Sequence, residues 1–194
     1  MGKNGNKIKA ILDLLTAELS VGILYLQIVS TLHAKFAHSD LLTYPCLLSG
    51  TYQACFNQAL LSLAKLGIHE RESVSIEYLL NCASQNTKAF RYASREQIEQ
   101  KIESHRHLLQ EKQPLFERVK VLRDRILAHL DRKHINEPGL FERLDVDFYE
   151  IGQCFEIFTE ILNTYKGYFD RSHLDLSSSI QIIQKDIDRL AGLA

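Results

Sequence analysis

The run Leu122-Arg123-Asp124-Arg125-Ile126-Leu127-Ala128-His129-Leu130-Asp131 sets a permanent cation, an acid and a titratable imidazole along one or two turns of an otherwise apolar-faced helix. Arginine presents a planar fork of donors that matches a phosphate. Histidine, with an unperturbed pKa near 6.5, takes and gives protons at neutral pH. Together they are a minimal kit for cleaving a phosphodiester without a metal. The neighbourhood leans the same way. Between residues 118 and 134 lie Arg118, Lys120, Arg123, Arg125, Arg132 and Lys133, opposed only by Asp124 and Asp131. The whole chain carries a formal charge of -1, so any polyanion must be held by such a local patch. Lys120, Arg125, Arg132, Lys133 and His134 are the candidate contacts to a phosphate backbone, around a candidate catalytic set of Arg123, Asp124 and His129.

Five residues separate Arg123 from His129. On a straight helix they stand roughly 120° apart around the axis and about 9 Å apart along it. One helix therefore does not aim both at one small target. Two arrangements do: a helix that loosens near His129, or two copies of the helix meeting across a twofold axis. The second makes a composite cleft from an isologous contact, and a homodimer is the expectation. The same composition also fits a solvated helix end, because cations in the last turns are favoured by the helix dipole with no ligand present.

The elements that must position this segment read as helices throughout. Residues 7–37 carry Ile8, Ile11, Leu14, Leu15, Leu19, Val21, Ile23, Leu24, Leu26, Ile28, Val29 and Leu32, a wide apolar face at helical spacing. A second helix is predicted over 45–66, closed by Gly67, and a third over 73–84. Ser94-Arg95-Glu96-Gln97 is a capping box opening a helix to about 109. Pro114 suits the first turn of the next helix, whose Leu115, Val119, Leu122, Ile126 and His129 step by 4, 3, 4 and 3. Pro138-Gly139 breaks the chain. Asp147-Phe148-Tyr149-Glu150 reads as a second capping box for a helix to 170, and Ser177 to Ser179 as the cap of a last helix to 190. The expectation is an all-α bundle of six or seven helices in one domain spanning residues 1–194.

Composition agrees. Three prolines and nine glycines in 194 residues argue against a turn-rich β fold. With 45% hydrophobic and 24% charged residues, the chain is balanced as a soluble globular protein. The opening seven residues are polar, and Asp13 and Glu18 interrupt the apolar run after them, which predicts neither a secretion signal nor a membrane span. Met1-Gly2 begins like a myristoylation signal, but Asn6 stands where Ser or Thr is wanted. Cys46, Cys55, Cys82 and Cys154 form no C-x-x-C pair, so reduced, buried thiols in a cytoplasmic protein are expected, with no metal. There is no Gly-rich phosphate loop and no G-x-S-x-G elbow, and no cofactor is expected. His105-Arg106-His107 superficially suggests a metal pair but reads as a solvated face. His33 and His38 flank the end of the first helix, where the dipole favours them. Tyr25, Tyr52, Tyr165 and Tyr168 fall at helical apolar spacing and read as core or interface.

Arg123-Asp124, four residues and His129 resemble the signature of HEPN domains, which carry Arg, then a polar residue that is usually Asn, His or Asp, then His after four to six positions. The stretch 122–131 is especially similar to the abortive-infection AbiU-type HEPN proteins, which tend to show Arg-Asp-x-x-x-Ala-His-x-Asp. The helix bearing Leu60-Leu61-Ser62-Leu63-Ala64-Lys65-Leu66 and the Asp147-led helix fit that layout, and the likeness covers about residues 10–170. The resemblance implies a HEPN-like helical core that dimerises through the motif region. It also implies metal-independent cleavage of RNA by attack of the ribose 2′-hydroxyl, as in a toxin or phage-defence effector whose partner is an antitoxin protein. His129 would then handle protons, Arg123 would stabilise the phosphorane-like charge, and Asp124 would orient Arg123 or the partner histidine. Some HEPN toxins carry, two residues after the histidine, a tyrosine that a nucleotidyltransferase modifies; here Asp131 stands there. The alternative is a non-catalytic module that dimerises and binds RNA or a protein through the same basic cleft.

Overall fold

A computed structural model describes residues 3–36, 46–124 and 146–190. Among these are seven α-helices and no strand: α1 (Lys3–Phe36), α2 (Cys46–Gly67), α3 (Ile76–Gln85), α4 (Arg95–Glu111), α5 (Gln113–Leu122), α6 (Phe148–Asp170) and α7 (Ser177–Leu190), with a single 3-10 turn at Thr87–Ala89. The all-α bundle expected from the periodicity is therefore what forms. At 34 residues, α1 is about 51 Å long. It packs most extensively against α2, then α6 and α7. Its residues 4–35 are long and apolar enough, by length and composition, to cross a membrane. Within it Ile8, Leu12, Leu15, Leu19 and Val29 are buried in the bundle, and 28% of its most apolar stretch is buried. Glu18 bonds Ser62 at 2.7 Å and Lys65 at 3.1 Å on α2.

One core runs through α1 to α6, with Leu60, Leu63, Leu79, Ile98, Phe158, Ile161 and Tyr165 fully enclosed. A smaller one, Leu32 and Ile187 with Ile28, Tyr52 and Ile183, seats α7 against α1 and α2. Cys55, Cys82 and Cys154 are free and buried, and burial pushes the Cys154 thiol up to about 11, which leaves it inert.

The helix boundaries follow local chemistry, with informative exceptions. Ser94 accepts from Gln97 N at 3.2 Å while Gln97 Oε1 accepts from Ser94 N at 2.8 Å, the complete capping box. The second box does not form, although Asp147 still caps the helix. Asp147 accepts from Tyr149 N at 3.1 Å, but the Glu150 carboxylate is engaged by Arg118 of α5 at 2.8 and 2.9 Å. The third helix opens at Ile76, capped by Ser75, because Ser73 is held in a turn with Glu70. Ser177 lies inside α7, and its N–H is bonded by Asp175 at 2.9 Å.

Gly67 ends α2, as expected, but not through a left-handed backbone. A Cβ there would lie 2.6 Å from the Phe116 ring, so the residue lets α5 pack against the end of α2. Gly22 does the same in mid-helix: its absent Cβ would meet Phe155 at 2.6 Å and Ser62 Cβ at 2.9 Å. Overpacking costs about 1–3 kcal/mol, against about 1 kcal/mol gained from alanine's helix propensity. Gly22→Ala is expected to lower the urea midpoint. A midpoint at or above wild type would mean that the ring and α2 shift aside freely.

Candidate functional site

The site is built on the end of α5. Leu115, Phe116, Val119 and Leu122 are all buried and seat this short helix. Arg123 follows as its C-terminal cap, and Arg123 and Asp124 form the start of a wider π-type turn. Such turns occur as local departures within helices, frequently at functional sites.

Arg123 is not a solvated helix-end cation. Its side chain retains 23% exposure and is held by two carboxylates. Nε donates to Asp124 Oδ1 at 2.7 Å, and Nη2 donates to Glu70 Oε1 at 2.6 Å. Asp124 first, then Glu70, hold the guanidinium above its ordinary pKa against the opposing effect of burial. It is a fixed positive charge with a fixed direction.

Glu70 is the partner that the sequence reading missed. It lies 53 positions before Arg123 in the loop between α2 and α3, and no local pattern marks it. The loop itself is well tied. Ile68 N bonds Ala64 O at 2.9 Å, and His69 Nδ1 lies 3.1 Å from Ser75 Oγ. Ser73 returns to Glu70 three times: its Oγ accepts from Glu70 N at 2.9 Å and donates to Glu70 O at 3.0 Å, and its N donates to Glu70 O at 3.0 Å. The turn holds the Glu70 backbone, while the carboxylate, 47% exposed, reaches Arg123.

Arg123 and Glu70 line a groove of about 320 Å³ with Leu15, Lys65, Ile68 and Val74. Ile68 also borders a second groove of about 490 Å³, where Lys120 meets His69, Arg106 and Gln110. Of the predicted phosphate contacts, Lys120 is thus exposed on that neighbouring groove. Arg118, counted in the basic cluster, is committed to Glu150. Arg125, His129, Arg132, Lys133 and His134 lie outside the described residues, as does His38. Among the described residues the structure therefore joins Arg123 to Asp124, adds Glu70, and sets Lys120 nearby.

The reading of residues 105–107 as one solvated face needs correction. Successive helical residues point about 100° apart, so the three meet three environments. His105 is fully buried, with Nδ1 3.4 Å from Tyr165 Oη and no partner for Nε2. Arg106 bonds Glu77 at 3.2 Å and Asn81 at 2.6 Å on α3. His107 alone is exposed, beside Glu111 at 3.3 Å. Among the described residues no three His, Cys, Asp or Glu side chains gather as a metal site. The tyrosines divide: Tyr165 is fully buried core, whereas Tyr25 is 37% exposed. His33, in the last turn of α1, packs its ring 5.1 Å from Phe148.

A family model for the AbiU2 group of HEPN proteins matches residues 5–186. No curated protein matches the chain, and no solved structure matches it.

Proposed function

From the premise that the chain belongs to the AbiU2 family of HEPN proteins, an abortive-infection family, we propose that it is a metal-independent endoribonuclease acting in phage defence or as a toxin. The observation that carries this beyond family membership is Arg123. The arginine of the HEPN-like motif is a partly buried guanidinium on a groove wall, directed by Asp124. A preorganised cation of this kind suits the charge that develops on a phosphate under attack.

In the proposed reaction the ribose 2′-oxygen bonds to the adjacent phosphorus while the bond to the 5′-oxygen breaks. His129 accepts the 2′-hydroxyl proton. His129 of the partner subunit delivers a proton to the leaving 5′-oxygen. Arg123 takes the added negative charge of the phosphorane-like state. Lys120, Arg125, Arg132, Lys133 and His134 hold flanking phosphates. On a straight α-helix Arg123 and His129 would stand about 120° apart, and this sequence geometry is the argument for a site completed by two chains. The proposal is accordingly a cytoplasmic homodimer, with RNA as substrate and an antitoxin protein as the natural restraint.

The reaction has a distinctive product. A single-stranded oligoribonucleotide incubated with the purified protein in EDTA is expected to yield 2′,3′-cyclic phosphate and 5′-hydroxyl ends. A substrate with a single 2′-deoxy position is expected to resist cleavage there. Intact RNA in every oligomeric fraction would leave the non-catalytic module, which binds RNA in a salt-dependent way without product. Cleavage that EDTA abolishes would remove the metal-free mechanism.

A further inference from the structure

The partner of Arg123 is itself the most informative unexplained group in the structure. To a guanidinium, a carboxylate and a phosphate are interchangeable acceptors: both are planar-edged or tetrahedral oxyanions that take parallel N–H bonds. Asp124 and Glu70 occupy Nε and Nη2, two donors on one side of the fork. Asp124 is the sequence neighbour of Arg123. Glu70 comes from another element, and its half-exposed carboxylate can turn into water without disturbing the core. Its backbone stays in place regardless, because Ser73 holds it by main-chain and hydroxyl bonds rather than through the carboxylate.

Local charge points the same way. Around this groove Glu18, Glu70 and Asp124 face Lys65 and Arg123, and Glu18 already holds Lys65 at 3.1 Å. Among the described residues, the carboxylates of Glu70 and Asp124 lie directly on the guanidinium and compete with a phosphate for it. With Glu70 turned out, Nη2 of Arg123 is released for a phosphate oxygen, while Asp124 keeps Nε.

We propose that Glu70 is an autoinhibitory contact, an internal anion that occupies Arg123 until a nucleic-acid phosphate displaces it. This rests on the reading of Arg123 as a phosphate ligand, and it sets the resting state of that same site. The α2–α3 loop is then the element through which access to Arg123 is controlled. A phosphate oxygen that takes Nη2 displaces the carboxylate from it, so affinity in the wild-type protein is lowered by the strength of the Glu70–Nη2 bond.

The test uses binding without cleavage. A fluorescent single-stranded oligoribonucleotide, 2′-O-methylated at every position, is titrated with wild-type protein, Glu70→Gln, Arg123→Ala and the double variant, each with its thermal midpoint checked. Glu70→Gln, close to isosteric, is expected to bind about tenfold tighter, as fits loss of one charge-assisted competitor. Arg123→Ala is expected to bind more weakly than wild type, and adding Glu70→Gln to it is expected to restore little. Unchanged or weaker binding by Glu70→Gln overturns the proposal, as does an equal gain in the Arg123→Ala background, which would mark a general charge effect. Absence of binding by all four proteins also overturns it. Failure of the nuclease reading looks different: unmodified RNA stays intact while Glu70→Gln still tightens binding through Arg123.

Discussion

Under the proposed function, Arg123→Ala is expected to lower RNA cleavage by about 10²–10³-fold, the usual loss when one preorganised donor to a developing charge is removed. His129→Ala is expected to lower it by about 10²–10⁴-fold, the range for a positioned proton-transfer group. Fold stability separates the chemical effect from a structural one. The pairs that Arg123 makes involve a carboxylate 47% exposed in each case, so their loss changes stability by about 1 kcal/mol or less. Arg123→Lys keeps the charge but not the planar fork, and its activity is expected to fall between wild type and alanine. The measurement is the initial rate of cleavage of a defined oligoribonucleotide, with urea denaturation of each variant alongside. Equal rates for wild type and Arg123→Ala would take Arg123 out of the reaction. A rate loss matched by unfolding would reduce it to a structural cation.

Stability itself is expected to fall in mild acid because of His105. Burial, with Lys101 adding to it and Glu160 opposing, pushes this imidazole down to about 4. Tyr165 stands 3.4 Å from Nδ1, Nε2 has no partner among the described residues, and the charge of Glu160 does not outweigh burial, so a second proton is disfavoured in the fold. Above pH 6.5 the ring is neutral in the folded and unfolded chain alike, and no stability is lost. Below pH 6.5 the unfolded chain takes up a proton that the folded protein refuses until about pH 4. Stability contributed by neutral His105 therefore declines as pH falls through that window, by at most about 1.4 kcal/mol per pH unit and by about 3 kcal/mol in all. Urea unfolding at pH 7.5 and pH 4.5 is expected to show a larger acid loss for wild type than for His105→Gln, which cannot titrate. Parallel losses in the two proteins would mean that His105 is protonated in the fold or plays no part.

Much of the architecture was readable along the chain because its determinants are local. The helical spacing of apolar residues from Ile8 to Leu32 predicted α1. The Ser94–Gln97 box predicted the start of α4 to the residue. Where local rules missed, a competing group had intervened, distant in two cases and near in the third. Glu150 matches the box pattern in sequence, yet its carboxylate lies with Arg118, 32 residues away. Ser73 has the right type to begin α3, yet its hydroxyl is engaged with Glu70. Gly67 was read for its backbone freedom, and what requires it is the Phe116 ring.

The candidate site divides along the same line. By itself the sequence determined an all-helical chain, a basic segment with Arg123, Asp124 and His129, and membership of the AbiU2 HEPN family. Residue type, helical period and capping reach only about four positions along the chain, and the motif is a short linear pattern. The tertiary structure alone decided that Glu70 closes on Arg123, that Lys120 lies on the adjoining groove, and that His105 is sealed against Tyr165. Those facts depend on which helix faces which across the core. That is set by packing among residues tens of positions apart, as with Gly22 against Phe155 and Gly67 against Phe116.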